Sequence, residues 1–118
     1  SESYTVISED DYVYQIYRIP GKAGEAATKK PAVLMMHGIE CDSNFWMPNL
    51  PQNNPAFILA EQGYDVWIGN NRGTEYSQGH TTLTANGATT WSANGGAAAS
   101  EYWDFSWTDM AEDDKAQI

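Results

Sequence analysis

Cysteine, histidine and basic side chains are all scarce in this chain of 118 residues. Cys41 is the sole cysteine, so no disulfide can form within the chain. The two histidines, His37 and His80, have no metal-ligand spacing with it, and we predict neither a metal nor a cofactor. Six basic against sixteen acidic side chains give a net charge of −10. A surface of this charge repels phosphate backbones, so nucleic acid is excluded as a partner class.

Long apolar runs are also missing. No run is long enough to span a bilayer, and no charged start followed by an apolar core marks a signal peptide. The chain opens on Ser1 rather than Met, so we expect a processed form or a piece of a longer protein. Its length predicts one domain at most, spanning residues 1–118, which can bury roughly two thirds of its unfolded surface.

The strongest local signal is the apolar run at residues 32–36, which ends at His37-Gly38 and is followed by a polar loop. Such a run predicts a strand that is buried on both faces of a parallel sheet. Ligands of these sheets gather beyond the carboxyl ends of the strands. We therefore place the chemistry at residues 37–42.

The flanking elements predict an α/β fold. Two β-rich runs at residues 4–8 and 12–19, split by an acidic turn, predict an antiparallel hairpin. Residues 20–30 are typical of a solvated loop. Residues 32–69 then predict one parallel strand, helix, strand unit.

Local end signals define the helix of that unit. Asn54 supplies an N-cap oxygen, Pro55 occupies the first helical position, and Gly63 ends the helix in a left-handed conformation. A second buried strand is expected at residues 64–69.

The last third of the chain is less regular. Residues 74–102 predict a long surface loop, because Gly, Ala, Ser, Thr and Asn dominate most of it. Ser106 and Asp109 have the spacing of a capping box, which predicts a final helix. One face of this helix is expected to be apolar, and its members are Trp107, Met110, Ala111 and Ile118.

The triplet His37-Gly38-Ile39 has two interpretations. It fits an oxyanion turn, in which Gly38 allows close approach and the Ile39 N–H donates to the developing negative oxygen. One such donor is worth about 3 kcal/mol of transition-state stabilisation. From the dipeptide His-Gly alone, an ordinary turn at a strand end is the more frequent outcome.

Other candidate residues favour structural roles. Ser77 resembles half of a GxSxG nucleophile elbow, but Glu75 stands where that motif needs glycine, so we predict a structural or surface serine. His80 is assigned no role. Arg72 could contact a substrate carboxylate, yet a structural role is favoured.

The aromatic pair Phe45 and Trp46 follows the proposed oxyanion turn directly along the chain. Two roles stay open for this pair. Its side chains either line an acyl pocket or close the core.

Taken in order, four segments resemble the acid lipase family of α/β-hydrolases, which includes gastric and lysosomal acid lipases and sterol esterases. They are TVISEDDYVYQIYRIP at residues 5–20, PAVLMMHGIECDSNFW at 31–46, NLPQNNPAFILAEQGYDVWIGNNRGTEYS at 49–77 and WDFSWTDMAEDD at 103–114. The third segment is the most specific. The sequence departs from the family at Asp10-Asp11, where Asp-Gly is usual, and at Lys115-Ala116, where an apolar residue and Pro are usual.

The resemblance implies the amino-terminal part of an incomplete α/β-hydrolase sheet. His37-Gly38-Ile39 matches the family's oxyanion motif, while the second donor, the nucleophilic Ser and the triad Asp and His are expected beyond Ile118. No triad residue is therefore expected in this chain. The implied partner of the full-length protein is a lipid ester substrate, an acylglycerol or a sterol ester. A secreted or lysosomal location and a transient contact with a membrane or lipid-droplet surface are also implied.

Two rival functions stay open. The first is a shortened, non-catalytic module that binds lipid or a full-length partner through Phe45, Trp46 and Trp67. The second is another α/β-hydrolase chemistry, such as epoxide or thioester cleavage, which the identity of the nucleophile would decide.

Overall fold

The computed structural model describes residues 1–21, 29–48, 50–85 and 101–117, except for the side chains of residues 113–116. Parts of the two predicted loops, residues 22–28 and 86–100, lie outside the described residues. Ile118, predicted for the apolar face of the last helix, also lies outside them.

A mixed sheet organises the described residues. Its strands are β1 (Glu2–Ile7), β2 (Tyr12–Ile19), β3 (Ala32–Met35), β4 (Asp65–Ile68) and β5 (Gly79–His80). Their order is β1-β2-β4-β3, and β5 pairs with β2 on the same edge as β4. The pairs β1/β2 and β2/β4 are antiparallel, whereas β3/β4 is parallel. The predicted hairpin and the predicted parallel unit are both confirmed.

The hairpin turn tolerates Asp11 where a glycine is usual. Asp11 has φ of 71°, and its N–H donates to the Ser8 carbonyl over 3.1 Å. The Ser8 N–H donates in turn to the Tyr12 carbonyl over 2.9 Å. Aspartate is one of the few residues other than glycine that adopt the left-handed region at small cost, so the sequence departure is compatible with a closed turn.

The helix α1 (Pro55–Glu61) begins and ends as its local signals predict. The Asn54 Oδ1 accepts hydrogen bonds from the N–H groups of Ala56 over 3.0 Å and Phe57 over 3.4 Å. Gly63 has φ of 96°, the left-handed conformation that favours glycine after a helix. The short helix therefore owes its bounds to sequence-local caps.

Two apolar clusters form the core. The first lies between α1 and the sheet and contains Ile19, Met35, Ala56, Ala60, Val66 and Ile68. The second lies at the other end of β2 and contains Tyr12, Tyr14, Ala85 and Tyr102. In the second cluster, Tyr102 packs with Tyr12 and Tyr14 of the hairpin. This contact brings part of the last third of the chain beside the first third.

The prediction that β3 is buried on both faces is wrong for the described residues. Ala32 is exposed, Val33 and Leu34 are half-buried, and Met35 alone is buried. The physical reason is the strand's position, because β3 pairs with β4 on one side and with no described strand on the other. An apolar run does not distinguish a central strand from an end strand whose remaining neighbours are not among the described residues.

The segment predicted as a loop contains β5. Its pairing places Gly79 opposite Val13 and His80 opposite Tyr12. A Cβ at Gly79 would lie 2.7 Å from the Val13 Cβ, so the close approach of the two strands requires glycine here. Two residues are too few to give a periodic signal in the sequence.

The last helix, α2 (Trp107–Gln117), begins at the predicted cap. The Asp109 carboxylate accepts from the Ser106 N–H over 2.6 Å and from the Ser106 hydroxyl over 2.7 Å. Trp107 is 68% exposed and Ala111 is also exposed, so these two members of the predicted apolar face do not pack in the core. The helix is instead anchored near its end by Gln117, which is buried and donates to the Asn70 carbonyl over 3.4 Å.

Candidate functional site

The polypeptide turns sharply just after β3. The Cys41 N–H donates to the Gly38 carbonyl over 3.3 Å, and Glu40, the third residue of this turn, has φ of 59°. Ile39 is outside the left-handed region. These features match a type II turn over residues 38–41, in which the second position suits proline and the third requires positive φ.

The Ile39 N–H has no hydrogen-bond acceptor among the described residues, and the Ile39 side chain is 70% exposed. A donor at a strand end with no partner of its own suits an incoming oxygen. The turn does not require glycine at position 38. A Cβ added there would have no neighbouring atom within 4 Å, and Gly38 is outside the left-handed region. The strained position of the turn is Glu40 instead.

His37 is buried behind this turn, with 8% of its surface exposed. The His37 Nδ1 lies 2.8 Å from the Gly38 carbonyl oxygen, and its Nε2 lies 3.0 Å from the Asn71 backbone nitrogen. A carbonyl only accepts and a backbone N–H only donates, so Nδ1 carries the proton and Nε2 accepts. The ring is therefore held as the neutral Nδ1–H tautomer.

A cavity of about 750 Å³ opens against the turn. Residues 37–42 and 71–75 line part of this cavity. Its other lining residues are apolar, namely Trp103, Phe105, Trp107, Met110 and Ala111. The cavity thus combines a backbone donor with an aromatic wall, a combination typical of sites for apolar small molecules.

Phe45 and Trp46 do not line this cavity. Trp46 packs against the core cluster beneath α1, and its ring meets the Phe45 ring edge-on with 5.0 Å between the centroids. Phe45 is 55% exposed. Trp46 therefore contributes to the core, and the acyl-pocket role of the pair stays a prediction.

Arg72 has the structural role that was favoured. It is 5% exposed, its Nη2 lies 2.7 Å from the Asp10 Oδ2, and its guanidinium stacks 3.8 Å above the centroid of the Tyr12 ring. Partial burial raises the pKa of Asp10, but the Ser8 hydroxyl and the Arg72 guanidinium outweigh burial and leave that pKa below its usual value. The pair ties the loop after β4 to the hairpin turn.

Ser77 is a buried structural residue rather than a surface one. It is 1% exposed, and its Oγ accepts from the Gln15 N–H over 3.1 Å and donates to the Asn70 carbonyl over 3.3 Å. His80 likewise supports its own loop, because its Nδ1 accepts from the N–H groups of Thr82 and Leu83 over 3.1 Å each. Neither side chain lines the cavity.

Asn70 is the residue that sequence reasoning missed. It is fully buried at the carboxyl end of β4. Its Oδ1 accepts from the Ser43 N–H over 2.9 Å, and its Nδ2 donates to the Gln15 carbonyl over 2.8 Å. One amide therefore joins the loop that follows the Ile39 turn to β2. The doublet Asn70-Asn71 after an apolar strand was the one available signal.

No group of three or more His, Cys, Asp or Glu side chains in the described part of the chain could hold a metal ion. Within those same ranges, no helix has the length and apolar content needed to cross a membrane.

Comparison with known proteins connects this site to a family. A family model described as a partial alpha/beta-hydrolase lipase region matches residues 1–50, which contain β1 to β3 and the Ile39 turn. Lipase lipl-1 of Caenorhabditis elegans is 41% identical over 114 residues, which cover 94% of this chain and 25% of that protein. The chain is a homologue of the α/β-hydrolase lipases. These matches confirm the predicted kinship and the predicted fold class.

Two further relatives match the lipase homologue over nearly its whole length. Lipase member K of Mus musculus is 41% identical over 115 residues, which cover 96% of this chain and 26% of that protein. Gastric triacylglycerol lipase of Mus musculus is 38% identical over 116 residues, which cover 97% of this chain and 26% of that protein. The chain thus spans about a quarter of the length of the curated relatives that it matches.

Proposed function

We propose that this lipase homologue is the amino-terminal part of a serine ester hydrolase that acts on neutral lipid esters, either acylglycerols or sterol esters. The observation that carries the proposal is at Ile39, which lines a cavity of about 750 Å³ and whose N–H has no acceptor among the described residues. The name of one relative, gastric triacylglycerol lipase, supports the substrate class.

In the proposed reaction, a serine hydroxyl from another part of the full-length protein attacks the ester carbonyl and passes its proton to a histidine. The carbonyl oxygen becomes an oxyanion, which accepts a hydrogen bond from the Ile39 N–H. Collapse of this intermediate breaks the ester C–O bond, and the departing alcohol takes the proton from the histidine. Water then repeats the sequence on the acyl-enzyme and releases the fatty acid. His37 and Gly38 shape the turn that presents the donor.

The rival non-catalytic module has less support from the described residues. Two of its three aromatic side chains are partly buried, because Trp46 packs on the core and Trp67 lies 5.1 Å beneath the Arg18 guanidinium. Phe45 alone is exposed. A surface with one exposed aromatic side chain is small for a stable docking site.

The proposed donor is tested in the full-length protein by comparing Ile39→Pro with Ile39→Ala. Both variants lose the isoleucine side chain, but proline alone removes the N–H. Proline also suits the second position of a type II turn, so the turn is retained. We expect kcat of Ile39→Pro to lie about 100- to 1,000-fold below that of Ile39→Ala.

The substrate class is tested separately with emulsions of a triacylglycerol and a sterol ester, and with vesicles of an anionic phospholipid. We expect fatty acid release from one or both neutral esters. A fluorophosphonate probe should modify one serine outside residues 1–118. If the full-length protein neither releases fatty acid nor reacts with the probe, the proposed function is wrong and the non-catalytic module becomes the better account.

A further inference from the structure

The peptide group between Gly38 and Ile39 carries two groups with opposite roles. Its carbonyl oxygen belongs to Gly38 and is hydrogen-bonded, whereas its N–H belongs to Ile39 and has no acceptor among the described residues. A peptide group is planar, and in the trans form the C=O and N–H point in opposite directions. Whatever fixes the Gly38 carbonyl therefore also fixes the direction of the Ile39 N–H.

Two donors hold that carbonyl. The His37 Nδ1–H lies at 2.8 Å and the Cys41 N–H lies at 3.3 Å. The shorter bond comes from a side chain that is itself held on its far side, because the His37 Nε2 accepts from the Asn71 N–H over 3.0 Å. Because Nε2 accepts from the Asn71 N–H, the ring proton is on Nδ1, and Nδ1–H can donate to the Gly38 carbonyl.

These contacts form one continuous chain of hydrogen bonds. It runs from the Asn71 N–H through the His37 ring to the Gly38 carbonyl, and the same peptide group carries the N–H of Ile39, a residue that lines the cavity. Hydrogen bonds in series polarise one another, and a peptide whose carbonyl accepts a bond becomes a better donor at its N–H. The ring is 8% exposed, so water competes little for either nitrogen.

We infer that His37 is a positioning residue for ester hydrolysis, which aims and polarises the Ile39 N–H through the Gly38 carbonyl. This inference rests on the proposed function, because it gives a role to the donor named there. His37 does not itself touch the reacting atoms in this account. Its loss should therefore weaken transition-state stabilisation and leave substrate binding almost unchanged.

The test compares two amide substitutions in the full-length protein. In His37→Asn, the amide nitrogen can take the place of Nδ1 and still donate to the Gly38 carbonyl. In His37→Gln, the amide oxygen can take the place of Nε2 and accept from Asn71, but the donor to Gly38 is lost. We expect kcat of His37→Gln to fall on the order of tenfold to a hundredfold, with KM within about twofold of the wild type. His37→Asn should recover most of kcat.

The second histidine offers a matched control. His80→Gln removes a half-buried imidazole that supports a loop and does not line the cavity, so its kcat should equal that of the wild type. An alkyl boronic acid, whose tetrahedral adduct carries an oxyanion, gives a second readout. Its inhibition constant should rise with His37→Gln by the same factor by which kcat falls.

The outcomes separate the inference from the proposed function. If Ile39→Pro lowers kcat but His37→Gln and His37→Asn behave alike, the inference is overturned and the proposed function stands. If Ile39→Pro and Ile39→Ala have equal kcat, the Ile39 donor role fails and the inference fails with it. Should His37→Gln not fold, His37→Ala serves as the variant without a donor, and equal kcat for His37→Ala and His37→Asn would overturn the inference.

Discussion

At the residue scale, single buried polar side chains hold the candidate site together. Asn70 and His37 each bridge segments that are far apart in sequence, because Asn70 is 27 positions from Ser43 and His37 is 34 positions from Asn71. Each bond satisfies a backbone group that burial would otherwise leave unpaired. The position of the Ile39 turn therefore depends on a few side chains that lie outside the turn.

We predict that Asn70→Ala destabilises the full-length protein by about 2–4 kcal/mol, because it removes the partners of the buried Ser43 N–H and of the Gln15 carbonyl, which belongs to a half-buried residue. Urea unfolding followed by circular dichroism measures the change. Asn53→Ala is the matched control, since Asn53 is exposed and should shift the unfolding free energy by less than about 0.5 kcal/mol. Equal effects of the two variants would show that the Asn70 amide does not hold the site.

At the residue scale, some roles could be predicted from the sequence and others could not. Asn54, Gly63 and the Ser106 cap were predictable, because each signal acts on a backbone group within a few residues. Ile39 was predictable as a candidate because it follows the end of an apolar strand. The roles of Asn70 and of the His37 ring depend on partners that only the fold brings close, so the Asn70-Asn71 doublet could mark a position but not name its partners.

At the scale of the elements, an ion pair reinforces the antiparallel contact of β2 with β4. Arg18 on β2 binds Asp65 on β4 through two hydrogen bonds, of 2.8 Å and 3.0 Å, and its guanidinium lies 5.1 Å from the centroid of the Trp67 ring. The hydrogen bond from Arg18 lowers the pKa of Asp65 below its ordinary value of 3.8, although burial opposes the shift. The charged form of Asp65 is therefore the stabilising one.

We predict that this ion pair makes stability depend on pH in the acid range. A carboxyl whose pKa is lowered on folding stabilises fully above its ordinary pKa and loses that contribution as pH falls through the folded pKa. Near pH 7, Asp65→Asn should cost about 1 kcal/mol, as expected for a partly exposed bidentate pair. The cost should shrink below about pH 4. Urea unfolding at pH 7 and pH 3 measures both values.

An Arg18→Ala background supplies the control for this prediction. Without the guanidinium, Asp65→Asn should have nearly the same effect at both pH values. A pH-dependent cost that persists in this background would assign the acid sensitivity to another carboxyl.

The same scale shows which elements were predictable. The hairpin, α1 and the parallel pair β3/β4 carry periodicity and end signals along their own length, and all three form. The strand β5 and the packing of α2 have no such signal. Both depend on partners that are distant in sequence. In β5, Gly79 pairs with Val13, and in α2, Gln117 donates to the Asn70 carbonyl.

At the scale of the whole molecule, the described sheet has β1 at one end and β3 at the other. Parallel strands are normally covered on both faces and paired on both edges, and β3 has neither among the described residues. An end strand of this kind offers unpaired backbone groups to other chains.

We therefore predict that residues 1–118 expressed alone aggregate or remain partly unfolded. Size-exclusion chromatography with light scattering and binding of the dye ANS measure aggregation and exposed apolar surface. A soluble monomer of the 118-residue chain with a sharp cooperative melt would contradict this prediction and favour an independent interaction module.

The central claim is that the Ile39 N–H stabilises an oxyanion, and the most direct test is the ratio of kcat between Ile39→Ala and Ile39→Pro in the full-length protein on a neutral lipid ester. The account predicts a ratio of about 100 to 1,000, since proline alone deletes the donor and keeps the turn. A ratio near one, with both variants folded, would contradict it and leave His37-Gly38-Ile39 as an ordinary turn at the end of a strand.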